Sequence, residues 1–173
     1  EGNSLHVTLD RPGQHNAYSE ELKDKFCSAL HLALHDSSIT KVIITGKGRS
    51  FCSGGDLNEF GSVKDPANGH LSRTTRSAGS LLANLADKTH FKVHGACIGA
   101  GIELTAFSNQ ITAQQNSFFQ LPEVGMGLIP GAGGTVSINN RIGRRRAAFM
   151  ALSGTRIDSE TALKWGLIDE LLT

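Results

Sequence analysis

Two glutamates stand beside glycine-rich stretches of the chain. Glu103 follows the segment Gly95–Gly101, and Glu123 precedes the segment Gly125–Gly134. Two carboxylates whose surroundings give them different pKa values can serve as a general acid and a general base. Glycine-rich backbone can also turn its N–H groups toward a ligand. The pattern indicates acid–base chemistry at a backbone-lined site, whereas each glutamate taken alone is typical of a solvated or helix-capping carboxylate.

Two glycine-rich junctions follow strand-like segments, at Phe51–Leu57 and at His94–Leu104. The second lacks the dinucleotide-binding fingerprint, because Leu104 stands where a small residue is needed. No glycine run ends in the Gly-Lys-Ser/Thr of a phosphate-binding loop, and the stretch from Gly48 fails the nucleophile-elbow pattern at Cys52. Each junction taken singly is typical of turn glycines and close helix packing.

The elements that must position these residues alternate between strand and helix. Strand patterns cover Leu5 to Leu9, Lys41 to Thr45, Phe91 to His94, Ile111 to Gln114 and Phe118–Phe119. Helical patterns follow Ser19 as an N-cap through about His35, and cover Ser80 to Asp87, Ile102 to Ser108, Thr135 to Ile142, Arg144 to Leu152 and Asp158 to Trp165. Ser62 to Arg76 is predicted to be a mobile loop. This alternation predicts one α/β domain over residues 1–173, with largely parallel strands.

Composition excludes several classes of function. The 17 basic and 16 acidic residues leave a net charge of +1, which argues against a nucleic-acid-binding face. No apolar run reaches the roughly 18 residues of a membrane helix. The three cysteines, Cys27, Cys52 and Cys97, form no CxxC pair, so we expect no zinc site and no disulfide framework. Free cysteines are typical of a reducing compartment, and we expect the cytoplasm.

Five separated segments together closely resemble the crotonase (enoyl-CoA hydratase/isomerase) superfamily. They agree with it in order and spacing and span nearly the whole chain: Leu9–Pro12 with Asn16–Ala17, Phe51–Leu57, Gly95–Leu104, Leu121–Thr135, and Leu152–Ile157 with Ala162–Leu167. The resemblance implies the crotonase-like ββα spiral core. Members of the family normally continue into C-terminal helices that build a trimer, and we expect this chain, which stops at Thr173, to lack them.

The resemblance also implies a site for acyl-CoA thioesters. Backbone N–H groups of Gly55 and Ala100 would hold the thioester oxygen, and Gly131 would direct another N–H toward it. Glu103 would activate water and Glu123 would deliver a proton to C2. The pocket for the CoA moiety would be lined by Asn16, Ala17, Ser53, Asp56 and Leu57. A basic residue commonly follows the Arg-Pro pair in the family, but Gly13 stands here, leaving Arg49, Arg73 or Arg76 as alternatives for the CoA phosphates.

Retention of both glutamates favours an enoyl-CoA hydratase acting on a trans-2-enoyl-CoA. Two alternatives stay open: an isomerase or other enolate-forming enzyme that uses Glu123 alone, and a non-catalytic CoA-binding module. The resemblance implies no cofactor, since coenzyme A is part of the substrate, and no metal. It implies acyl-CoA as the partner and a homotrimer or dimer of trimers, while the composition argues against a nucleic-acid or membrane partner. For a eukaryotic source, the mitochondrial matrix and the peroxisome are alternatives to the cytoplasm.

Three other groups of residues could in principle do chemistry. His31 and His35 are four apart on a predicted helix, a spacing that can hold a metal, although we expect a solvated face. Cys52 and Cys97 flank the proposed donors, and we interpret them as small apolar lining residues rather than nucleophiles. The basic cluster around Arg144–Arg146 is interpreted as a solvated helix start.

Overall fold

The computed structural model describes residues 3–60 and 77–172. Its helices are α1 (Glu20–His35), α2 (Ala78–Asn84), α3 (Ala100–Thr105), α4 (Gly134–Ser153) and α5 (Ser159–Trp165). Its strands are β1 (Ser4–Leu9), β2 (Lys41–Gly46), β3 (Thr89–Val93), β4 (Ala96–Ile98), β5 (Gln110–Gln114), β6 (Phe118–Gln120), β7 (Ile157–Asp158) and β8 (Glu170–Leu172). In these two ranges no helix has the length and apolar character needed to cross a membrane.

The strands form two sheets. The larger has the order β1-β2-β3-β5-β8, and every neighbouring pair in it is parallel. The smaller has the order β4-β6-β7, in which β4 and β6 are parallel and β6 and β7 antiparallel. The predicted α/β class with largely parallel pairing is therefore confirmed.

The hydrophobic core is formed by residues of helix α1 together with residues of the larger sheet. In β2, Val42 and Ile44 are buried while Lys41 is exposed, as expected for a strand with one face in the core. Helix α1 buries Phe26 and Leu30 on its apolar stripe. Its first turn is capped by Ser19, whose Oγ accepts a hydrogen bond from the Leu22 N–H at 3.2 Å.

Several sequence-based bounds differ from the structure. Helix α3 begins at Ala100 rather than Ile102 and ends at Thr105 rather than Ser108. The strands β4, β7 and β8 were not predicted, because two or three residues are too few to show an alternating pattern. The break in α4 at Gly143, with φ 78° and ψ 158°, separates the two helical segments that the sequence predicts. The loop predicted for Ser62 to Arg76 lies outside the described residues.

Candidate active site

The N–H of Gly55 is left free by the pairing of its own segment. Gly55 forms an isolated parallel bridge with Tyr18. The bridge uses the neighbouring groups: the Tyr18 N–H donates to the Gly54 carbonyl at 2.7 Å, and the Asp56 N–H donates to the Tyr18 carbonyl at 3.2 Å. Within residues 3–60 and 77–172 the Gly55 N–H has no backbone acceptor. It is therefore available to a ligand oxygen.

The N–H of Ala100 is free for a different reason, since it opens helix α3. The first N–H groups of a helix have no intrahelical acceptor. The adjacent Gly99 N–H is already used, because it donates to the Gln120 carbonyl at 2.9 Å. In the described part of the chain, Ala100 is not among the residues with positive φ, so alanine fits here without backbone strain.

The two free N–H groups are brought together by the segments that precede them. Cys52 and Cys97 pair in a parallel bridge, in which the Ile98 N–H donates to the Cys52 carbonyl at 2.9 Å. Further along, a Cβ built on Gly99 would lie 3.6 Å from the Gly54 Cα, so these backbones are in contact. Gly55 and Ala100 follow directly on this contact and form a candidate oxyanion hole.

Glu103 lies one helical turn beyond Ala100 and is buried. Its Oε2 accepts hydrogen bonds from the N–H groups of Ala132 and Gly134, both at 2.8 Å. The pKa of Glu103 is raised to about 7, mainly by burial and also by the nearby charge of Glu123, while hydrogen bonds from the backbone of the 132–134 turn act in the opposite direction. A carboxyl group with this pKa can exchange a proton near neutral pH.

The side chain of Glu123 also lies at the start of α3. Its Oε1 occupies the place of the missing side chain of Gly99, since a Cβ built there would lie 2.5 Å from it. Gly99 also has φ 50°, so a side chain at this position is disfavoured twice. The Oε2 of Glu123 is buried and has no hydrogen-bond partner in the described residues. Burial raises the pKa of Glu123, so it too can hold a proton above the usual range.

Asn16 and Ala17, predicted to line the CoA pocket, are both buried. Asn16 has no exposed surface, and its Nδ2 donates to the carbonyls of Lys47, Ser50 and Phe51 at 2.9 to 3.0 Å. Its side chain therefore links the end of β1 to the turn that leads to Gly55. Because the side chain is fully buried, it has no surface that a ligand could contact in this structure.

The other predicted lining residues differ in their exposure. Leu57 is 63% exposed, and Ser53 is half-buried. Asp56 is buried and paired with Arg11, whose Nη1 lies 3.0 Å from its Oδ2, and this hydrogen bond lowers the pKa of Asp56. Gly131 is exposed on the turn before α4, next to the amides that hold Glu103.

The remaining sequence candidates lie apart from this arrangement or are inert. His31 and His35 are exposed, and their rings stack at 6.0 Å. Burial raises the pKa of Cys52 to about 11 and that of Cys97 well above its ordinary range, which disfavours the reactive thiolates. Over the described ranges, no group of three or more potential ligand side chains is placed to hold a metal ion.

Sequence reasoning missed two parts of the site. The amides of Ala132 and Gly134 were not recognised as ligands of Glu103, although the Gly-Ala-Gly-Gly run before a helix was the available signal. Arg11 was not singled out either. Its Nη1 also donates to the Ala17 carbonyl at 2.7 Å and so connects the end of β1 to Asp56.

Comparison with known proteins gives a consistent family. The profile of the enoyl-CoA hydratase/isomerase family matches residues 1–173. The chain is 35% identical over 167 residues to the 2,3-dehydroadipyl-CoA hydratase of Escherichia coli (strain K12), which covers 96% of this chain and 65% of that protein. It is 32% identical over 166 residues to the 1,2-epoxyphenylacetyl-CoA isomerase of the same strain, covering 94% of this chain and 63% of that protein.

The fold agrees with solved structures. The structure of an enoyl-CoA hydratase from Shewanella pealeana superposes with a TM-score of 0.91 at 26% identity, covering 99% of this chain and 66% of that one. The predicted crotonase-like fold is thus confirmed. This chain spans slightly less than two thirds of the length of the two curated relatives. It belongs to the enoyl-CoA hydratase/isomerase family, whose members share the crotonase fold.

Proposed function

We propose that the protein hydrates a trans-2-enoyl-CoA. The observation that carries this proposal is that buried Glu103 and half-buried Glu123, both with raised pKa values, lie near the end of α3 that presents the free Ala100 N–H. The N–H groups of Gly55 and Ala100 would bind the thioester oxygen as it gains charge. Removing one such donor typically lowers the rate by roughly 10²–10³-fold.

The two carboxylates would divide the proton transfers. Glu103, whose Oε2 accepts hydrogen bonds from two amides, would accept a proton from a water molecule. The oxygen of that water molecule would bond to C3 in the same step. Glu123 would deliver a proton to C2 as the enolate collapses, so that one water molecule is added across the double bond. Because the two groups interact, they titrate as a coupled pair.

The direct test is hydration of crotonyl-CoA and of longer 2-enoyl-CoA thioesters, followed by loss of the enoyl absorbance. Glu103→Gln and Glu123→Gln should each lower kcat by at least about 10²-fold, since each removes a proton-transfer group. Absence of turnover by the wild-type protein would contradict the proposal. So would full activity in either variant.

An isomerase that uses Glu123 alone is the second candidate, supported by the isomerase among the similar proteins. It predicts that Glu103→Gln keeps most of the activity on a 3-enoyl-CoA. CoA binding without turnover of either thioester would instead favour a non-catalytic binding module. Assaying both thioesters with the same variant separates these possibilities.

We also propose that the protein associates as a homotrimer or a dimer of trimers through apolar surface that lies outside the C-terminal helices of the family. Exposed apolar side chains support an association, among them Ile129 at 76% and Leu152 at 73% exposure. Sedimentation equilibrium should give a mass three or six times that of the chain. A single monomeric species at all concentrations would contradict this proposal.

A further inference from the structure

The aromatic ring of Phe107 fills the space between helix α2 and the turn that binds Glu103. A Cβ built on Gly133 would lie 2.8 Å from both Cε2 and Cζ of Phe107. A Cβ built on Gly79, in α2, would lie 2.9 Å from the same Cε2 and 3.3 Å from the Ala132 carbonyl oxygen. The ring edge therefore leaves no room for a methyl group on either side.

Phe107 also belongs to the chain segment that carries Glu103. It follows α3 within one turn, and its N–H donates to the Leu104 carbonyl at 3.2 Å. Its half-buried ring packs against the core. One side chain thus connects the helix that bears Glu103 with the turn whose amides bind the Glu103 carboxylate.

A side-chain hydrogen bond also links the start of α4 to α3. The Ser137 Oγ donates to the Glu103 carbonyl at 2.6 Å, which fixes the start of α4 relative to α3. That hydrogen bond acts one helical turn beyond Gly134 and does not touch the amides themselves. Gly133, between the two donating residues, has φ 109° and is the N-cap of α4, its carbonyl accepting hydrogen bonds from the N–H groups of Val136 and Ser137, both at 3.0 Å. The Phe107 ring therefore packs directly on the start of α4.

We propose that Phe107 is a positioning residue. Its ring packs against the 132–134 turn and fixes the turn's position, and this position determines the strength of the hydrogen bonds from the amides of Ala132 and Gly134 to Glu103. The two hydrogen bonds favour the ionised carboxylate and oppose the effect of burial on its pKa. Loss of the ring lengthens these bonds. The ionised form of Glu103 then becomes less favourable.

The primary test is a titration of Glu103 that does not depend on turnover. The ¹³C resonance of its side-chain carboxyl group, assigned by comparison with Glu103→Gln, should titrate at higher pH in Phe107→Ala than in the wild-type chain. Phe107→Leu should lie between the two. Phe149→Ala, which removes a ring packed on Trp165 in the far half of α4, is the matched control and should leave the titration unchanged.

The kinetic consequence rests on the proposed hydratase function. In Phe107→Ala we expect the acid limb of the pH profile of kcat/KM for crotonyl-CoA to move to higher pH. We expect kcat to fall by about 10-fold or more, because small displacements of a catalytic group are costly, and KM to change little. Inactivity of the wild-type chain would remove the proposed function and leave the carboxyl titration as the deciding measurement.

A second variant, in helix α2, tests the same packing of Phe107 on the 132–134 turn. Gly79→Ala should shift the Glu103 titration in the wild-type background, because its methyl group would collide with the ring at 2.9 Å and make a tight contact with the Ala132 carbonyl oxygen at 3.3 Å. In the Phe107→Ala background the ring is gone, so the same substitution should produce a smaller further shift. A Phe107→Ala or Phe107→Leu protein that is folded and less stable, yet titrates like the wild-type chain, would overturn the inference.

Discussion

The carboxyl group of Glu103 accepts two main-chain hydrogen bonds and still has a pKa raised to about 7. Burial is thus the larger effect, and the charge of Glu123 adds to it. If ionised Glu103 is the base that activates water, its protonation limits the reaction on the acid side. The acid limb of kcat/KM should then lie near pH 7, well above the ordinary glutamate value of 4.5. A limb below pH 5 would contradict this assignment.

Because the pKa of Glu103 is raised, its protonation makes the free energy of unfolding depend on pH. Its pKa is higher in the folded than in the unfolded state, so the folded chain binds more protons between pH 4.5 and about 7, and the free energy of unfolding falls as pH rises through that window. Glu103→Gln removes the ionisation and keeps an acceptor for the amides. At pH 8 we expect it to raise the free energy of unfolding by on the order of 2–3 kcal/mol.

Urea denaturation of both proteins at a series of pH values measures this difference. The stability advantage of Glu103→Gln should shrink as pH falls and disappear below about pH 4.5, where wild-type Glu103 is protonated in both states. An advantage that stays constant from pH 4 to pH 8 would show that the carboxyl group is not responsible.

At the scale of elements, the connection from β1 to the candidate oxyanion hole depends on Asn16. This residue has φ 56°, which asparagine tolerates better than most residues, and its buried amide binds several carbonyls of the turn after β2. Asn16→Ala leaves those carbonyls and the Arg11 N–H without their side-chain partner. We expect a loss of about 2–4 kcal/mol in the free energy of unfolding, measured in urea. A loss below about 0.5 kcal/mol would contradict this role.

Helix α4 offers a second prediction at this scale. Gly143 has φ 78° and ψ 158°, a region that residues with a side chain rarely adopt, so Gly143→Ala should destabilise the fold by about 1–3 kcal/mol. Gly13→Ala is the control, because Gly13 has no positive φ and a Cβ there meets nothing within 4 Å. Its effect should stay within about 0.5 kcal/mol. Equal losses in the two variants would show that backbone conformation at Gly143 is not the cause.

The elements also show what sequence alone can provide. Helix α1 and strands β1 and β2 were predicted nearly to the residue, because each has a clear period and a recognisable start or end. The sequence could place Glu103 and Glu123 in glycine-rich surroundings. It could not place Glu123 against Gly99, because that contact depends on how β4 and β6 pair, and both strands are only three residues long.

At the scale of the whole molecule, Asp169 connects parts that are far apart in sequence. Its Oδ2 accepts from the Ile111 N–H at 2.7 Å and from Arg141 Nη2 at 3.0 Å, so it joins the start of β5, helix α4 and the approach to β8. The Arg141 side chain is mostly buried while that of Asp169 is 42% exposed, so solvent screens part of the ion pair.

Asp169→Ala should therefore lower the free energy of unfolding by about 1–2 kcal/mol and loosen the edge of the larger sheet. Hydrogen exchange should show faster exchange of the amides in β5 and β8 with little change in β1 and β2. Uniform acceleration over the whole sheet would indicate a general loss of stability instead. The destabilisation should be smaller at high salt, where the wild-type ion pair is itself weakened.

The pairing of Cys52 with Cys97 has a consequence for how this molecule can evolve. Each candidate donor lies three positions after one of these cysteines, and the donors are main-chain groups. Substitutions at Ser53 or Ile98 leave both N–H groups in place. Inserting or deleting one residue in either interval would rotate an N–H away from its partner. Genetic drift and engineered libraries can therefore vary the side chains at Ser53 and Ile98, but they must conserve Gly54, Gly99 and the lengths of these two short intervals.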